Sequence, residues 1–501
     1  MPKNAEEAMP ERRCRLYCAR KQVLQDLLVR ILEGNRFVLQ LSGFPLRTDE
    51  NRSHQLWILR VYLREGGTMK TSLRFVGRLS DFDRSALLSR GEVPAGVKET
   101  VASVFSEVKK RGVPAVLEFT KRFDGPEVDP NSLRVTDEEL KAAYSKISAE
   151  QLNAIQEAKK RLIEFCLEQK KCVRDSVLST EDGTMALKWL PLKRVGIYAP
   201  AGRAPLPSSV IMSAVPARVA GVEELVLCSP PQKDGSVHSA VLVAASECGI
   251  DEVYRLGGAQ AIAAMAYGSG FAPVDMICGP GNAYVAYAKQ LAASEGLVKI
   301  DTIAGPSEVL IIADETADSR QVASDMLAQA EHGPTSAAIC VALSPPVGDA
   351  VSSELERQFA SFKEKEPMAS SLKKLGCILI TESLEEAVTF ANDFAAEHVE
   401  VFTKDAEAVA KRIPNAGAVF VRTGEVFGDY GMSGGNHILP TGRAARFASP
   451  VSVYSFLRQQ QVESMTKGAQ ERLSTAAVSF ARLETLEAHA RSAETRSPTR
   501  E

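Results

Sequence analysis

The chain has 501 residues, which is enough for two or more domains with a large buried core. Its hydrophobic content of 45% and charged content of 25% are those of an ordinary soluble globular protein. The formal net charge of −3 gives no basic surface for nucleic acid, and no apolar run approaches the roughly 20 residues that a membrane span needs. The nine cysteines are scattered without a Cys-x-x-Cys pair, as in the core of a protein from a reducing compartment, so we expect a cytoplasmic location.

Residues 1–68 differ from the rest of the chain. They mix basic residues with short apolar runs, and charges interrupt every such run, so no signal peptide is visible. Residues 64–69 are Arg-Glu-Gly-Gly-Thr-Met, and codons for Glu-Gly-Gly can contain a bacterial ribosome-binding sequence shortly before an ATG. We therefore hypothesise that Met69 is the natural start and that residues 1–68 are a translated leader, with a small accessory segment as the alternative.

A helical N-terminal region is predicted over residues 69–193, because apolar residues recur there at three- and four-residue spacing. Thr136-x-x-Glu139 is a capping-box pattern that predicts the start of one helix. Residues 169–188 are polar and are expected to form a hairpin or loop. Three longer helices are predicted over 97–111, 113–123 and 148–171.

From residue 194 the pattern changes to short apolar runs separated by helical stretches, which predicts βαβ units and parallel sheets. The alternation occurs in two similar blocks, residues 194–303 and 304–450. The fold class is therefore α/β, with two Rossmann-like parallel-sheet domains and a crevice between them, where ligands tend to bind. Residues 451–501 are predicted to be a helical C-terminal tail, helical from about Pro450 to Arg491.

A glycine-rich stretch, Gly428 to Thr441, follows the last predicted strand and carries Asp429 and His437. Glycines at this density break helices and allow positive φ angles, so the polar side chains are displayed from a loop. Loops of this kind often carry binding and catalytic groups. An ordinary turn between a strand and a helix is the alternative.

Two further groups of polar residues contain histidine, of which the chain has only six. Gln329 and His332 are three residues apart on a predicted helix, so they share one face. Together with Asp429 they offer nitrogen and oxygen ligands that suit zinc, although a solvated helix end is the alternative. Glu397 and His398 are adjacent and can serve as an acid–base pair, with a surface ion pair as the alternative.

Glycine turns that lead into predicted helices follow several strands of the first block. A phosphate or ribose docks readily at such a helix N-terminus. None of these turns is Gly-x-Gly-x-x-Gly, so tight strand-to-helix turns remain the alternative. The turns lie at residues 198–203, 257–260 and 279–282.

Over roughly residues 70–492 the chain resembles the histidinol dehydrogenase family, the zinc enzymes of histidine biosynthesis. Six segments occur in the family's order and at about its spacing, which is a highly specific combination. Residues 1–68 match nothing in the family. The six segments are residues 257–263, 279–282, 304–308, 329–334, 397–398 and 433–441.

The resemblance implies the oxidation of L-histidinol through L-histidinal to L-histidine, with reduction of two NAD⁺. It implies zinc as a cofactor, and a homodimer with shared active sites in which the C-terminal tail supplies one ligand to the partner. It assigns the first block, residues 194–303, to NAD and the tail to dimerisation. The implied zinc ligands, which also contact substrate, are Gln329, His332, Asp429 and His489. The implied catalytic residues are Glu397 and His398, and His398 also contacts substrate. The implied substrate-binding residues are Ser307, His437 and Glu484. The implied cofactor-binding residues are Tyr198, Gln260 and Asn282.

One position departs from the family pattern, because Ala201 stands where the family commonly has glycine. A methyl group there is expected to crowd the backbone near the cofactor phosphates. Three rival functions were weighed: a related zinc alcohol dehydrogenase for another small polyol, a zinc hydrolase that uses metal-bound water, and a catalytically silent scaffold. The full set of polar site residues disfavours the first and third rivals. The absence of His-Glu-x-x-His, together with the glycine turns, disfavours the second.

Overall fold

The chain divides into two units, residues 1–70 and residues 71–501. In the first unit, strand β1 (Cys14–Cys18) pairs antiparallel with strand β2 (Trp57–Val61). The hypothesis that Met69 is the natural start lies outside the described residues. The computed structural model describes residues 14–18, 57–61, 73–83, 85, 93–201, 204–302 and 305–497.

A five-stranded parallel sheet forms the first α/β layer of the second unit, in the order β10-β9-β6-β7-β8. Every residue of the central strand β6 is buried, as expected where helices cover both faces of a parallel sheet. The predicted βαβ alternation is confirmed here. The strands are β6 (Arg194–Tyr198), β7 (Glu224–Ser229), β8 (Glu252–Arg255), β9 (Met276–Cys278) and β10 (Lys299–Ile300). The helices between them are Pro207–Ala220, Ser239–Glu247, Gly258–Tyr267 and Ala283–Ser294.

The strand order of this sheet defines a switch point. The chain runs from β6 through β7 to β8 on one side, and then places β9 and β10 on the other side. The crevice outside the carboxyl ends of β6 and β9 is therefore where a ligand of a doubly wound sheet usually binds. Tyr198 ends β6 and Gly279 follows β9 at this edge.

A six-stranded parallel sheet forms the second layer, in the order β15-β14-β11-β12-β13-β3. Its edge strand β3 comes from the region predicted to be helical, and its four residues are too few to show a period. The strands are β3 (Phe75–Arg78), β11 (Glu308–Ala313), β12 (Ala337–Ala342), β13 (Gly376–Ile380), β14 (His398–Phe402) and β15 (Ala418–Val421). The helices are Ser319–Glu331, Pro345–Ser361, Glu366–Leu375, Leu384–Phe394, Ala406–Ala410 and Val426–Asp429.

In the described part of the chain, four α-helices precede the first sheet: Ala95–Arg111, Val113–Phe123, Asp137–Ala143 and Ala149–Lys170. The capping box predicted at Thr136 is present. The Thr136 hydroxyl accepts a hydrogen bond from the Glu139 backbone N–H at 3.3 Å, and the Glu139 carboxylate accepts one from the Thr136 N–H at 2.9 Å. Val101 and Phe105 of the first helix pack into the same core cluster as Ala263 of the sheet layer.

The C-terminal tail differs from the expected continuous helix. Residues Leu457–Met465 form strand β16, which pairs antiparallel with β5 (Gly183–Pro191), and β5 pairs with β4 (Ser176–Thr180). The run Arg-Gln-Gln-Gln inside β16 has no apolar period, so the sequence carried no strand signal there. Two helices, Lys467–Leu483 and Glu487–Glu494, complete the tail. Within the described part of the chain, no helix is both long and apolar enough to span a membrane.

Candidate active site

A cavity of about 120 Å³ lies where the two parallel sheets face each other. The first sheet contributes the loop Gly279–Gly281 from its carboxyl edge. The second sheet contributes Ser307 and Glu397, which directly precede β11 and β14 and therefore lie at its amino edge. His437 of the glycine-rich stretch closes the cavity. The crevice between the two halves that the sequence predicted is thus formed by opposite edges of two sheets.

Glu397 and His398 are buried together beside this cavity, with 7% and 2% of their surfaces exposed. The Glu397 carboxylate accepts a hydrogen bond from the Glu308 backbone N–H at 3.2 Å. Its other oxygen lies 3.7 Å from the Nε2 atom of His398. The surface-pair alternative is therefore wrong, and the interpretation of the two side chains as an acid–base pair stays a prediction.

The His398 ring is held through its Nδ1 atom. This atom lies 3.0 Å from Oε1 of Gln329 and 2.6 Å from a carboxylate oxygen of Glu425. Gln329 reaches this point because its helix runs antiparallel to β11, so the helix ends at the amino edge of the sheet. Nε2 of His398 has no hydrogen-bond partner among the described residues, so it is available to a substrate.

His437 stacks on His398, with ring centroids 4.5 Å apart and planes inclined by 22°. Its Nε2 atom lies 2.8 Å from Oδ1 of Asp429. A Cβ atom added to Gly428 would lie only 2.7 Å from Nδ1 of His437, so the ring packs where a side chain would stand. The glycine-rich stretch therefore builds part of the site, which an ordinary turn does not do.

Burial sets the protonation states of the central groups. It lowers the pKa of His398 well below its usual range, and the neighbouring His437 and His332 add to the effect. Burial raises the pKa of Glu397 well above its usual range, and the charges of Glu308 and Asp429 act in the same direction. A neutral imidazole next to a carboxyl group that holds its proton tightly is suited to moving protons near neutral pH.

The pKa of the Asp429 carboxyl is lowered despite burial. Desolvation raises this pKa, but the hydrogen bond from His437 and the charges of His437 and His332 outweigh it. Asp429 is therefore ionised and can serve as an anionic ligand.

Three acidic residues behind His398 were missed by the sequence analysis. Glu400 and Glu425 are buried, and the Glu425 backbone N–H donates to Glu400 Oε1 at 2.6 Å. Burial raises the pKa of both carboxyl groups, and raises the pKa of Asp325 to about 6. The one available signal was a glutamate in the middle of an apolar strand, Glu400.

The implied zinc ligands of one subunit lie around this cluster. Gln329 contacts His398, and His332, which follows the helix end, acts electrostatically on both His398 and Asp429. Among the described residues no group of three or more His, Cys, Asp and Glu side chains is arranged to hold a metal. The implied set would leave only His332 and Asp429 as such side chains within one chain, because Gln329 is an amide and the family resemblance assigns His489 to the site of a second subunit.

Glu484 and His489 lie in the tail with exposed side chains. Within the described part of the chain, no hydrogen bond or ion pair joins them to the cluster around His398. The structure of a single chain thus brings together the implied site residues of both sheets and leaves the two tail residues apart.

The implied cofactor residues lie at the carboxyl edge of the first sheet. The Tyr198 hydroxyl accepts a hydrogen bond from the Gly258 N–H at 3.1 Å. Gln260 is buried and its Nε2 donates to Asp124 at 2.9 Å. Asn282 caps the next helix by accepting backbone N–H groups at 3.1 and 3.2 Å. Ala201 is described but its neighbours 202 and 203 are not, so the expected effect of its methyl group stays a prediction.

Asp124 at the end of its helix was also missed, because a single aspartate before glycine carries no distinctive pattern. Burial raises its pKa to about 6, although hydrogen bonds from Gly257 and Gln260 oppose the rise. The folded state therefore holds the Asp124 proton more tightly than the unfolded state. That contribution to stability is complete below pH 4 and is lost as the pH rises through about 6.

Replacing Asp124 with Asn is expected to remove this pH dependence. An asparagine amide can also donate to Gln260 Oε1, which lacks a hydrogen-bond partner among the described residues. Between pH 4 and pH 7.5 the variant should gain up to about 3 kcal/mol relative to the wild type in free energy of unfolding. Denaturant unfolding at both pH values measures the difference, with exposed Glu364→Gln as the control. An Asp124→Asn difference that stays constant across this range would contradict the prediction.

Comparison with known proteins identifies the family. The family model described as histidinol dehydrogenase matches residues 89–497. The chain belongs to the histidinol dehydrogenase family. It is 45% identical to the histidinol dehydrogenase of Heliobacterium mobile, over 79% of this chain and 92% of that protein. It is 43% identical to that of Geobacillus kaustophilus, over 82% of this chain and 97% of that protein.

A solved structure agrees with this assignment. The crystal structure of histidinol dehydrogenase from Elizabethkingia anophelis is similar, with a TM-score of 0.78 and 34% identity. The alignment covers 86% of this chain and 99% of that chain. The family resemblance stated from the six segments is confirmed, and the chain is an oxidoreductase of this family.

Proposed function

We propose that the cluster around Glu397 and His398 is the active site for the reaction of this family. That reaction is NAD-dependent oxidation of L-histidinol, through L-histidinal, to L-histidine in histidine biosynthesis. The observation that supports this placement most strongly is the free Nε2 atom of buried His398. It lies beside Glu397, near a cavity whose opposite wall is the switch-point loop Gly279–Gly281.

The first step converts the alcohol and NAD⁺ to the aldehyde, NADH and a proton. Ser307 would bind the substrate at the amino edge of the second sheet, and the glycine loop on the opposite wall lies at the switch point where the nicotinamide cofactor would bind. Nε2 of His398 accepts the hydroxyl proton as hydride leaves. Because its pKa is lowered, His398 is neutral and ready to accept this proton near neutral pH.

The second step converts the aldehyde, water and a second NAD⁺ to the carboxylic acid, NADH and a proton. The ionised form of Glu397 accepts the proton from the attacking water. Its raised pKa makes that carboxylate a stronger base than an exposed glutamate. The enclosed cavity keeps the aldehyde away from bulk water between the steps.

The donor set fits a zinc ion held by Gln329, His332, Asp429 and His489 of the partner subunit. Asp429 is kept ionised, and Gln329 brings its amide oxygen to the same cluster, 3.0 Å from Nδ1 of His398. Mixed nitrogen and oxygen ligands of this kind suit zinc. When bound, zinc would supply a Lewis acid that orients and polarises the substrate.

The exposed tail supports a homodimer with shared active sites. Phe480 and Leu483 are 64% and 79% exposed, and Val177 and Val462 of the antiparallel sheet are 63% and 42% exposed. A set of apolar side chains of this size marks a surface that another protein covers. A second copy of the chain would cover it and carry Glu484 and His489, which lie close to Leu483 in sequence, to its partner's cluster.

A cytoplasmic location is part of the same proposal. The seven cysteines from Cys166 to Cys377 are free thiols, and six of them are buried. Unpaired cysteines are the usual state in a reducing compartment.

Histidinol-dependent NADH formation tests the proposed function. Complete conversion should yield two NADH per histidinol, followed by absorbance and by quantifying histidine. One NADH per molecule of a non-imidazole polyol, without activity on histidinol, would favour the alcohol dehydrogenase rival. Hydrolytic activity without NAD would favour the hydrolase.

A further inference from the structure

A buried ion pair lies beneath the proposed cofactor crevice. Lys289 Nζ lies 2.5 Å from Asp301 Oδ1, and the two side chains are only 1% and 0% exposed. Lys289 comes from the helix that follows the Gly279–Gly281 loop, and Asp301 directly follows strand β10. Neither residue was singled out in the sequence, and neither has a place in the mechanism above.

Both charged groups form a hydrogen bond with the backbone of the same glycine, Gly279. Lys289 Nζ donates to the Gly279 carbonyl at 2.8 Å, and the Gly279 N–H donates to Asp301 Oδ2 at 2.8 Å. The peptide groups on both sides of Gly279 are therefore fixed by charge-assisted hydrogen bonds, which are shorter and stronger than neutral ones.

Gly279 cannot be replaced by a residue with a side chain at this point. Its φ of +122° is rarely adopted by other residues, and an added Cβ would lie 2.1 Å from the Tyr198 carbonyl oxygen. The ion pair therefore holds this loop in close contact with the end of β6. That contact joins the two strands that flank the switch point of the sheet.

The same pair also lines the cavity beside the catalytic candidates. Lys289 and Asp301 line it together with Ser307, Glu397 and His437. A shift of the Gly279 loop would therefore change the distance between a ring bound in the crevice and the groups that handle the proton.

We propose that Lys289 and Asp301 are a positioning pair for the nicotinamide cofactor. By fixing both peptide groups of Gly279, they set where the nicotinamide ring lies relative to Glu397 and His398. This inference rests on the proposed binding of NAD at the switch point. It predicts that the pair controls cofactor binding and leaves histidinol binding unchanged.

The test separates positioning from stability with a charge-neutral double variant. Replacing a buried ion pair by apolar residues of similar size often preserves stability, whereas removing one partner leaves an unpaired buried charge. Lys289→Met/Asp301→Leu avoids an unpaired buried charge, but the buried N–H and carbonyl of Gly279 lose their partners. The variant should therefore stay folded with a melting temperature several degrees below that of the wild type, and it should bind NADH more weakly than the wild type does.

The expected change is a rise of at least ~10-fold in the Kd for NADH, measured by fluorescence titration without substrate, because a loop without its charge-assisted hydrogen bonds must be ordered when the cofactor binds. KM for NAD⁺ should rise in parallel, while the Kd for histidinol, from calorimetry, stays within twofold. Lys299→Met is the matched control, since Lys299 lies two residues before Asp301 and bonds to the Ser455 carbonyl at 2.6 Å instead. Its NADH affinity should equal that of the wild type.

Wild-type NADH affinity in the folded double variant would overturn the proposal. If the double variant does not fold, Lys289→Met/Asp301→Asn serves instead, because it is also charge-neutral and the asparagine oxygen can still accept from the Gly279 N–H, so that only the Gly279 carbonyl loses its partner. Unchanged NADH binding by this variant would overturn the proposal equally. A wild-type enzyme that binds NADH but does not oxidise histidinol would refute the proposed function and leave this test intact.

Discussion

Replacing His398 with Asn is expected to lower histidinol turnover by about 10²–10⁴-fold, the usual contribution of general acid–base catalysis. Asparagine is close in size to the inner part of the imidazole and can still contact Gln329. It cannot accept the hydroxyl proton from the substrate. Zinc content is expected to remain at the wild-type level, because His398 is not among the implied ligands. Steady-state NADH formation and metal analysis of the same preparation measure the two quantities.

His238→Asn is the matched control for this substitution. His238 begins the helix Ser239–Glu247, where its Nδ1 accepts the Ala240 N–H at 3.2 Å, and asparagine is itself a good N-cap residue. Its activity should match the wild type. Near-normal turnover by His398→Asn with zinc bound would remove His398 from the mechanism. Loss of both zinc and activity would indicate that His398 has a structural role and is not a catalytic residue.

Segments with a single, uninterrupted pattern could be predicted to the residue. Helix Val113–Phe123 is observed with the predicted bounds, because its apolar residues recur with a clear helical period. Strand β16 could not be predicted, because its exposed polar residues have no period. Its conformation depends on pairing with β5, which is distant in sequence.

The candidate site was predictable only where the family pattern marked its residues. Glu397, His398 and Gln329 were named in advance, yet their meeting depends on a helix that ends at the amino edge of the second sheet. Glu425 and Lys289 have the same local sequence signals as many surface residues. Their burial follows from tertiary packing, which no local pattern records.

Exchange of subunits between two inactive variants tests the shared active site. His332→Ala and His489→Ala are each expected to lose zinc and activity. The loss of an outer-shell partner alone costs about 10–100-fold in metal affinity, and loss of a ligand should cost more. In a mixed dimer, the tail of the His332→Ala subunit still carries His489. It can complete the site on the body of the His489→Ala subunit, which still carries His332.

The recovery expected from this exchange can be calculated. Random pairing makes half of the dimers mixed, and one of the two sites in each mixed dimer is intact. Activity and zinc content should therefore return to about a quarter of the wild-type values. The matched control is a mixture of the His332→Ala and Asp429→Asn variants. Both substitutions lie outside the C-terminal tail, so no combination of the two subunits restores a complete site. If the first mixture recovers no more than this control, zinc is held within single subunits, and the exposed tail around Phe480 and Leu483 must serve another purpose.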